Sequence, residues 1–238
     1  MPAATPVLVV RSLAKSFTLH TRGGATLPVL AGLTFEARKG ECVALRGPSG
    51  AGKSTVLRLI YGNYKALGGE ILIAEGGNPR RLIDIVGAGP RDILRLRADT
   101  VGYVSQFLRA IPRVGAVDIV AEPLMAAGVD ADLARARASD LLARLNIPER
   151  LWSLPPATFS GGEQQRVNIA RGLIRDLPIL LLDEPTAALD RQNRAVVVSL
   201  IAEARKRGAA ILGIFHDDEV RDAVATRIID LAPLDAAA

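Results

Sequence analysis

The sequence predicts an α/β fold in which a buried parallel sheet carries an inserted helical subdomain. Three observations support this prediction. The segment Gly47–Ser54 reads GPSGAGKS and matches G-x-x-x-x-G-K-[ST], a phosphate-binding loop between a strand and a helix. The run Ile179–Leu182 is continuously apolar, as in a parallel strand that is buried on both faces. From about Pro112 to Pro156 the composition shifts towards Ala, Arg and Leu, which favours helices.

The length of 238 residues and a hydrophobic fraction of 49% suit one domain with a large core. We therefore predict a single domain over residues 1–238. Its β and core parts comprise about residues 7–106 and 157–238, and its helical subdomain about residues 107–156.

Charge, cysteine content and hydropathy exclude several classes of protein. The net charge of +5 comes from scattered residues without a run of five or six like charges, so we expect no nucleic-acid partner. The single Cys42 excludes an internal disulfide, and its apolar, strand-like surroundings indicate a buried thiol. Because there is neither a secretory signal nor a stretch of 18 apolar residues, we expect a cytoplasmic chain that does not insert into a membrane.

Four strands are predicted ahead of the phosphate loop. The alternation of apolar and polar residues in the third strand indicates that it is half buried, and the fourth strand leads directly into the loop. We place the strands at Val7–Val10, Ala14–Leu19, Leu33–Ala37 and Glu41–Leu45, with a loop from His20 to Pro28.

The glycines of the phosphate loop let backbone N–H groups curl around oxyanions, and the next helix adds the positive end of its dipole. We expect Lys53 to bridge the β- and γ-phosphates of a nucleotide, the Ser54 hydroxyl to bind Mg²⁺, and Thr55 to support a nearer phosphate. A plain glycine-rich turn is the alternative, but a strand and a helix stand where the motif requires them. The expected nucleotide-binding residues here are Gly47, Pro48, Ser49, Gly50, Ala51, Gly52, Lys53, Ser54 and Thr55.

The middle of the chain predicts two more strands and a helix. The strands lie at Gly68–Ile73 and Val101–Gln106, with Gln106 at the end of the second. Asp132 is the expected cap of the helix, which ends at Asn146–Pro148. Its apolar face is formed by Leu133, Leu141, Leu142 and Leu145.

Two carboxylates, Asp183 and Glu184, follow the buried apolar run. A carboxylate at Asp183 would hold the Mg²⁺ shell, and Glu184 would face a water molecule in line with the γ-phosphate, which makes it the candidate general base. Acidic residues are common at strand ends, but the following Pro185-Thr186 and the earlier phosphate loop favour the catalytic interpretation.

Ser160-Gly161-Gly162 indicates another helix N-terminus, with Ser160 as the N-cap and Glu163 in the first turn. A capped helix is the simple interpretation. The other interpretation is a second anion-binding site. Because this chain already has its own phosphate loop, that site would bind the γ-phosphate of a nucleotide held by another subunit. A further helix at Ala195–Arg207 and a buried strand at Ala210–Phe215 then lead to His216, which would reach the γ-phosphate or the attacking water.

With these motifs, the whole chain resembles the ATP-binding-cassette (ABC) ATPases. The resemblance implies a P-loop NTPase core with an antiparallel β subdomain, ATP and Mg²⁺ as ligands, ATP hydrolysis, and a head-to-tail dimer of two cassettes. It implies that Gln106 contacts Mg²⁺ and the attacking water, that His216 is the switch histidine, that Asp190 closes the D-loop, and that Phe17 stacks on adenine. The family's signature motif corresponds to Ser160, Gly161, Gly162, Glu163 and Gln164. The chain departs from the usual signature at Phe159 and Glu163, where the family has Leu and Gln.

A second, narrower resemblance is carried by the segments Leu59–Tyr64, Ser105–Val114, Phe159–Gly172 and Phe215–Val220. These four segments resemble the L-type ATP-binding subunit of the phosphonate carbon–phosphorus lyase system. That resemblance implies alkylphosphonate catabolism with soluble lyase core subunits and a K-type cassette as partners. The chain would hydrolyse ATP or assist the coupling of a phosphonate to the ribose of ATP.

The alternative is the ATPase subunit of an ABC membrane transporter of the lipoprotein-release or macrolide-export type, whose cassettes also have a Ser-Gly-Gly-Glu signature. A third class, the repair and translation cassettes, needs a coiled-coil insertion or a second cassette, and the sequence has neither. For either partner we predict docking on the segment from Phe107 to Glu122, with core packing as the competing interpretation. Its apolar residues are Phe107, Leu108, Ile111 and Val114.

Overall fold

The computed structural model describes residues 5–19, 24–108 and 112–234. These residues form nine strands, arranged in two sheets, and seven α-helices. The strands are β1 (Pro6–Leu19), β2 (Ala25–Arg38), β3 (Cys42–Arg46), β4 (Gly68–Ala74), β5 (Leu82–Asp84), β6 (Val101–Val104), β7 (Ile179–Asp183), β8 (Ala210–Ile214) and β9 (Arg227–Asp230). The helices are α1 (Lys53–Ile60), α2 (Pro90–Asp99), α3 (Ala116–Ala126), α4 (Ala131–Arg144), α5 (Gly161–Leu173), α6 (Arg191–Lys206) and α7 (Asp218–Val224).

The core sheet is parallel throughout and has the order β6-β7-β8-β3-β9. Strands β7 and β8 are buried at every residue, which explains their continuous apolar runs. Because the carboxyl ends of parallel strands meet at one edge of a sheet, the segments after β3, β6, β7 and β8 converge there. The predicted α/β class with a phosphate-loop core is confirmed.

The second sheet is antiparallel, with the order β2-β1-β4-β5. The prediction of two strands at Val7–Val10 and Ala14–Leu19 was wrong, because a bulge at Ser12 (φ 46°) lets one strand, β1, continue through both. The predicted loop His20–Pro28 was too long: residues 20–23 lie outside the described part, and Ala25–Pro28 belong to β2. Pro28 is tolerated there because β2 is an edge strand.

The predicted helix after residue 131 is α4, but its cap is Asp130 and not Asp132. Asp130 Oδ1 accepts hydrogen bonds from the backbone N–H groups of Asp132 and Leu133, at 3.0 and 3.1 Å. Leu133 was expected on the apolar face and is 47% exposed, whereas Leu142 is fully buried. The helix ends before Asn146, whose φ of 55° is left-handed.

Two apolar clusters cover the two faces of the parallel sheet. One joins the sheet to helices α3 to α6, and the other joins it to α1 and the antiparallel sheet. Cys42 lies fully buried in the first cluster, and burial raises the pKa of its thiol to about 12. Within the described residues, no helix is both long enough and apolar enough to cross a bilayer.

Candidate functional site

The phosphate loop follows β3 and continues into α1, and its glycines are required by close contacts as well as by backbone angles. Gly47 and Gly52 have φ values of 154° and 86°. A Cβ atom on Gly47 would lie 2.3 Å from the carbonyl oxygen of Leu231, and one on Gly52 would lie 2.9 Å from Val29 Cγ1. Any side chain at Gly47 would therefore push the loop away from the sheet.

The loop curls around the side chain of Lys53, which is only 9% exposed. Lys53 Nζ donates hydrogen bonds to the carbonyl oxygens of Gly47 and Pro48, at 2.7 and 2.8 Å. The ammonium group is thus held inside the curve of the loop at the N-terminus of α1, where backbone N–H groups and the helix dipole also favour an anion.

Asp183, at the end of β7, is fully buried, and both of its carboxylate oxygens have partners. Ser54 Oγ donates to Oδ1 at 2.9 Å, and the Tyr103 hydroxyl donates to Oδ2 at 2.9 Å. Burial, and then the charge of Asp183, raise the pKa of Tyr103, so its hydroxyl stays a donor at neutral pH. Sequence reasoning gave Tyr103 no role, although it lies three residues before Gln106, the end of the predicted strand, and therefore near the same sheet edge.

Glu184 lies between Gln106 and His216. Its Oε2 accepts a hydrogen bond from Gln106 Nε2 at 3.1 Å, and its Oε1 is 2.6 Å from His216 Nε2. The backbone of Glu184 is left-handed (φ 54°), a conformation that costs a non-glycine residue about 1–3 kcal/mol. The three residues predicted to be catalytic therefore meet at one point, and the strained turn directs the carboxylate there.

The residues around Ser54 and Asp183 fit Mg²⁺ when it is bound together with phosphate oxygens. A hydroxyl and a carboxylate are hard oxygen ligands, and protein Mg²⁺ sites usually supply only one or two carboxylates beside the phosphates of the substrate. The described residues contain no cluster of three or more His, Cys, Asp or Glu side chains that would form a complete protein cage.

The motif Ser160–Gln164 forms the N-terminus of α5 and is accessible to solvent at Ser160 and Gly161. Ser160 caps the helix, and Glu163 Oε2 accepts bonds from Ser160 N and Ser160 Oγ, at 2.9 and 2.7 Å. These hydrogen bonds lower the pKa of Glu163. Gln164 turns inward instead, since its Nε2 donates to the carbonyl oxygen of Phe159.

Two buried amides join α5 to the catalytic segments. Gln165 Nε2 donates to the carbonyl oxygen of Pro185 at 3.2 Å, next to Glu184. Asn168 Nδ2 donates to the carbonyl oxygen of Ser105 at 2.5 Å, next to Gln106. Sequence reasoning gave neither residue a role, because amides on a helix are ordinarily exposed.

The two remaining predicted nucleotide contacts occupy separate places. Asp190 caps α6, where it accepts a hydrogen bond from Asn193 N at 2.8 Å that lowers its pKa. Phe17, on β1, packs edge to face against Tyr64 with a centroid distance of 5.4 Å, and Lys15 Nζ lies 4.7 Å above its ring. Tyr64, the aromatic partner of Phe17, lies after the C-terminal end of α1 and not in the phosphate loop.

The predicted docking segment divides into exposed and packed residues. Phe107 is 74% exposed, whereas Leu108 and Val114 are partly buried and pack against the first core cluster. Ile111 lies outside the described residues. Of the three described residues, Phe107 remains a candidate contact, whereas Leu108 and Val114 are better explained by core packing.

A phosphate loop between a parallel strand and a helix, with an acidic residue at the end of a neighbouring buried strand, defines this protein as a P-loop NTPase. The family model described as ABC transporter matches residues 30–187. The chain belongs to this family, whose members bind ATP with Mg²⁺ and hydrolyse ATP.

Curated relatives and solved structures agree with this assignment. The ATP-binding protein LolD of the lipoprotein-releasing system is 39% identical in Novosphingobium aromaticivorans, over 90% of this chain and 92% of that protein. LolD of Alcanivorax borkumensis is 36% identical, over 92% of each chain. A solved dimer of the ATP-binding cassette MJ0796, in a post-hydrolysis state with ADP and phosphate, has a TM-score of 0.84 at 30% identity, covering 95% of this chain and 96% of that one.

These comparisons contradict the expectation of a phosphonate carbon–phosphorus lyase subunit. Relatives that match almost end to end are named as lipoprotein-releasing subunits, and the four segments that suggested the lyase lie in or beside motifs of the cassette itself. The expected soluble lyase partners and the ribose coupling depended on the same assignment. The transporter alternative fits the relatives better.

Proposed function

We propose that this chain is the ATP-hydrolysing subunit of an ABC membrane transporter of the lipoprotein-release or macrolide-export type. The main support is that the LolD proteins are similar over nine tenths of both chains. A pyoverdine export ATP-binding/permease protein of Pseudomonas syringae is also 37% identical over 96% of this chain, although the chain spans only 33% of that protein.

In this proposal the residues that contact the nucleotide bind and orient it. The phosphate loop and Lys53 hold the phosphates, Ser54 and Asp183 hold Mg²⁺, and Phe17 stacks on the base. The metal supplies charge stabilisation at the phosphate oxygens. Glu184 takes the proton of the attacking water, while Gln106 and His216, which contact its two carboxylate oxygens, keep the carboxylate directed at that water.

Two chains complete each site in a head-to-tail dimer. The exposed N-terminus of α5, with Ser160, Gly161 and Gly162, is the second phosphate-binding element and faces the nucleotide of the other cassette. Asp190 lies beside that contact. The dimeric MJ0796 structure, bound to ADP and phosphate, supports a dimer of two cassettes. We further propose that residues 107–156 form a subdomain and that Phe107 at its start contacts the membrane subunit.

The experiment is co-purification of the tagged chain, expressed in its native host, from detergent-solubilised membranes. We expect an integral membrane protein in stoichiometric amount, and ATP hydrolysis that rises when the complex is reconstituted into lipid. Phe107→Glu should reduce recovery of the membrane protein while ATP binding is retained.

The control is Leu133→Glu, which places the same charge on another exposed apolar residue in the helical part of the chain. This variant should bind its partner normally. Recovery of a soluble enzyme complex without any membrane protein would overturn the transporter proposal. If Phe107→Glu and Leu133→Glu reduced recovery of the membrane protein equally, Phe107 would not be the contact residue.

A further inference from the structure

Tyr103 is outside every motif that predicted the site, yet it contacts one of the residues expected to bind Mg²⁺. It lies on β6, opposite Leu181 of β7, and its hydroxyl reaches the end of that strand. There it donates a hydrogen bond of 2.9 Å to Asp183 Oδ2. The other oxygen of the same carboxylate accepts a hydrogen bond of 2.9 Å from Ser54.

The two hydrogen bonds divide the carboxylate into a metal-facing side and a supporting side. Ser54 is the expected Mg²⁺ ligand, so Oδ1 faces the metal position and Oδ2 faces away from it. Asp183 is fully buried, and an oxygen without a donor would be costly there. Without the hydroxyl of Tyr103, Ser54 would be the one remaining donor among these two. The carboxylate of Asp183 could then rotate, and both of its oxygens would compete for the Ser54 hydroxyl.

The ring of Tyr103 is itself held in place. Tyr61 packs against it with a centroid distance of 5.0 Å, and Arg97 lies 4.4 Å above the Tyr61 ring. Arg97 Nε also donates to the carbonyl oxygen of Tyr61 at 2.9 Å. The packed pair of tyrosine rings therefore supports the direction from which the hydroxyl approaches Asp183.

We propose that Tyr103 is a positioning residue for metal binding, which orients Asp183 so that Oδ1 supports Mg²⁺ beside Ser54. The inference rests on the proposed ATPase function and adds a residue to it. Outer partners of this kind typically contribute 10- to 100-fold in metal affinity. A purely structural Tyr103 would contribute to folding stability and leave metal affinity unchanged.

The test is Tyr103→Phe, made in a Glu184→Gln background so that bound nucleotide is not consumed. Mn²⁺ affinity for the protein–ATP complex is measured by electron paramagnetic resonance, and ATP affinity in EDTA is measured separately by equilibrium dialysis. We expect Mn²⁺ to bind about 10- to 100-fold more weakly, whereas metal-free ATP binding stays within about twofold.

Tyr61→Phe is the matched control. It removes a hydroxyl from the other ring of the same pair, and within the part of the chain that the structure describes this hydroxyl makes no hydrogen bond to protein. Mn²⁺ affinity should not change in this variant. In an Asp183→Asn background, Tyr103→Phe should have no additional effect, because its action passes through that carboxylate.

The outcomes separate this inference from the function on which it rests. Unchanged Mn²⁺ affinity in Tyr103→Phe would overturn the positioning role while the ATPase proposal stands. A lower melting temperature with unchanged Mn²⁺ affinity would do the same and would assign Tyr103 to folding. Failure of the parent protein to bind ATP and Mn²⁺ would overturn the proposed function itself.

Discussion

Replacing Glu184 with Gln tests the general base directly, because an amide keeps the size of the side chain but cannot take up a proton. Both carboxylate oxygens are in use, one 2.6 Å from His216 Nε2 and the other 3.1 Å from Gln106 Nε2. The amide retains one acceptor oxygen, so one contact survives. The second contact is made by the N–H group of the amide. His216 Nε2 can accept this hydrogen bond when it carries no proton.

The expected loss of rate is much larger than the loss of stability. Removing a positioned base lowers the rate about 10²- to 10⁴-fold, which corresponds to about 3–5 kcal/mol in the activation free energy. One altered hydrogen bond at a partly exposed side chain changes the free energy of unfolding by only about 0.5–1.5 kcal/mol. ATP affinity should hardly change, because Lys53 and the phosphate loop are intact.

The assay compares steady-state phosphate release, ATP binding and thermal unfolding in the wild type and in Glu184→Gln. Glu219→Gln, an exposed carboxylate on the helix after His216, is the control for the loss of one negative charge and should retain full activity. Hydrolysis by Glu184→Gln within about threefold of the wild type, against the expected 10²-fold or greater loss, would refute the assignment.

Three further predictions concern other parts of the chain. Lys53→Ala should lose ATP binding, measured by equilibrium dialysis, and retained affinity would contradict its phosphate contact. Native Cys42 should react with a maleimide at pH 8 far more slowly than in urea, because with a pKa of about 12 only about 10⁻⁴ of the buried thiol is ionised; equal rates would show that the thiol is accessible. Glu163→Gln should strengthen the ATP-dependent dimer in sedimentation experiments, and weaker association would show that the carboxylate is required.

The sequence predicted best those features in which local chemistry and tertiary structure agree. The phosphate loop requires glycine for its backbone angles and for its contact with Leu231, so its pattern is nearly independent of context. The apolar run of β7 predicts a central strand equally directly, because a strand that is buried on both faces has no position for an exposed polar residue. The site residues at the ends of β6, β7 and β8 follow from parallel strand order.

The missed features depend on contacts between distant segments. Helix α3 lies in the segment that was predicted to be helical, but its place was not predicted, since Pro123 in its interior argues against a helix unless tertiary packing offsets the cost. The bulge at Ser12 depends on simultaneous pairing of β1 with β2 and β4. Tyr103 resembles any strand tyrosine until the register of β6 and β7 places its hydroxyl at Asp183.

The departure at Glu163 has a physical explanation within the chain. A Ser-x-x-Glu capping box satisfies two donors, and the carboxylate also interacts favourably with the helix N-terminus, by about 0.3–1 kcal/mol. Because its pKa is lowered, that contribution is present above the ordinary pKa of Glu and is lost as the pH falls through the lowered value.

The same carboxylate opposes the proposed second phosphate site at neutral pH. The carboxylate of Glu163 is ionised at neutral pH. It also accepts a hydrogen bond from the Ser160 hydroxyl, which an incoming γ-phosphate would need as its own donor. Glutamine preserves the capping box while removing both the charge and part of this competition. We therefore expect Glu163 to favour the free helix over the proposed ATP-bound dimer, so that association of the two chains, as well as the catalytic residues, limits ATP hydrolysis by the isolated chain.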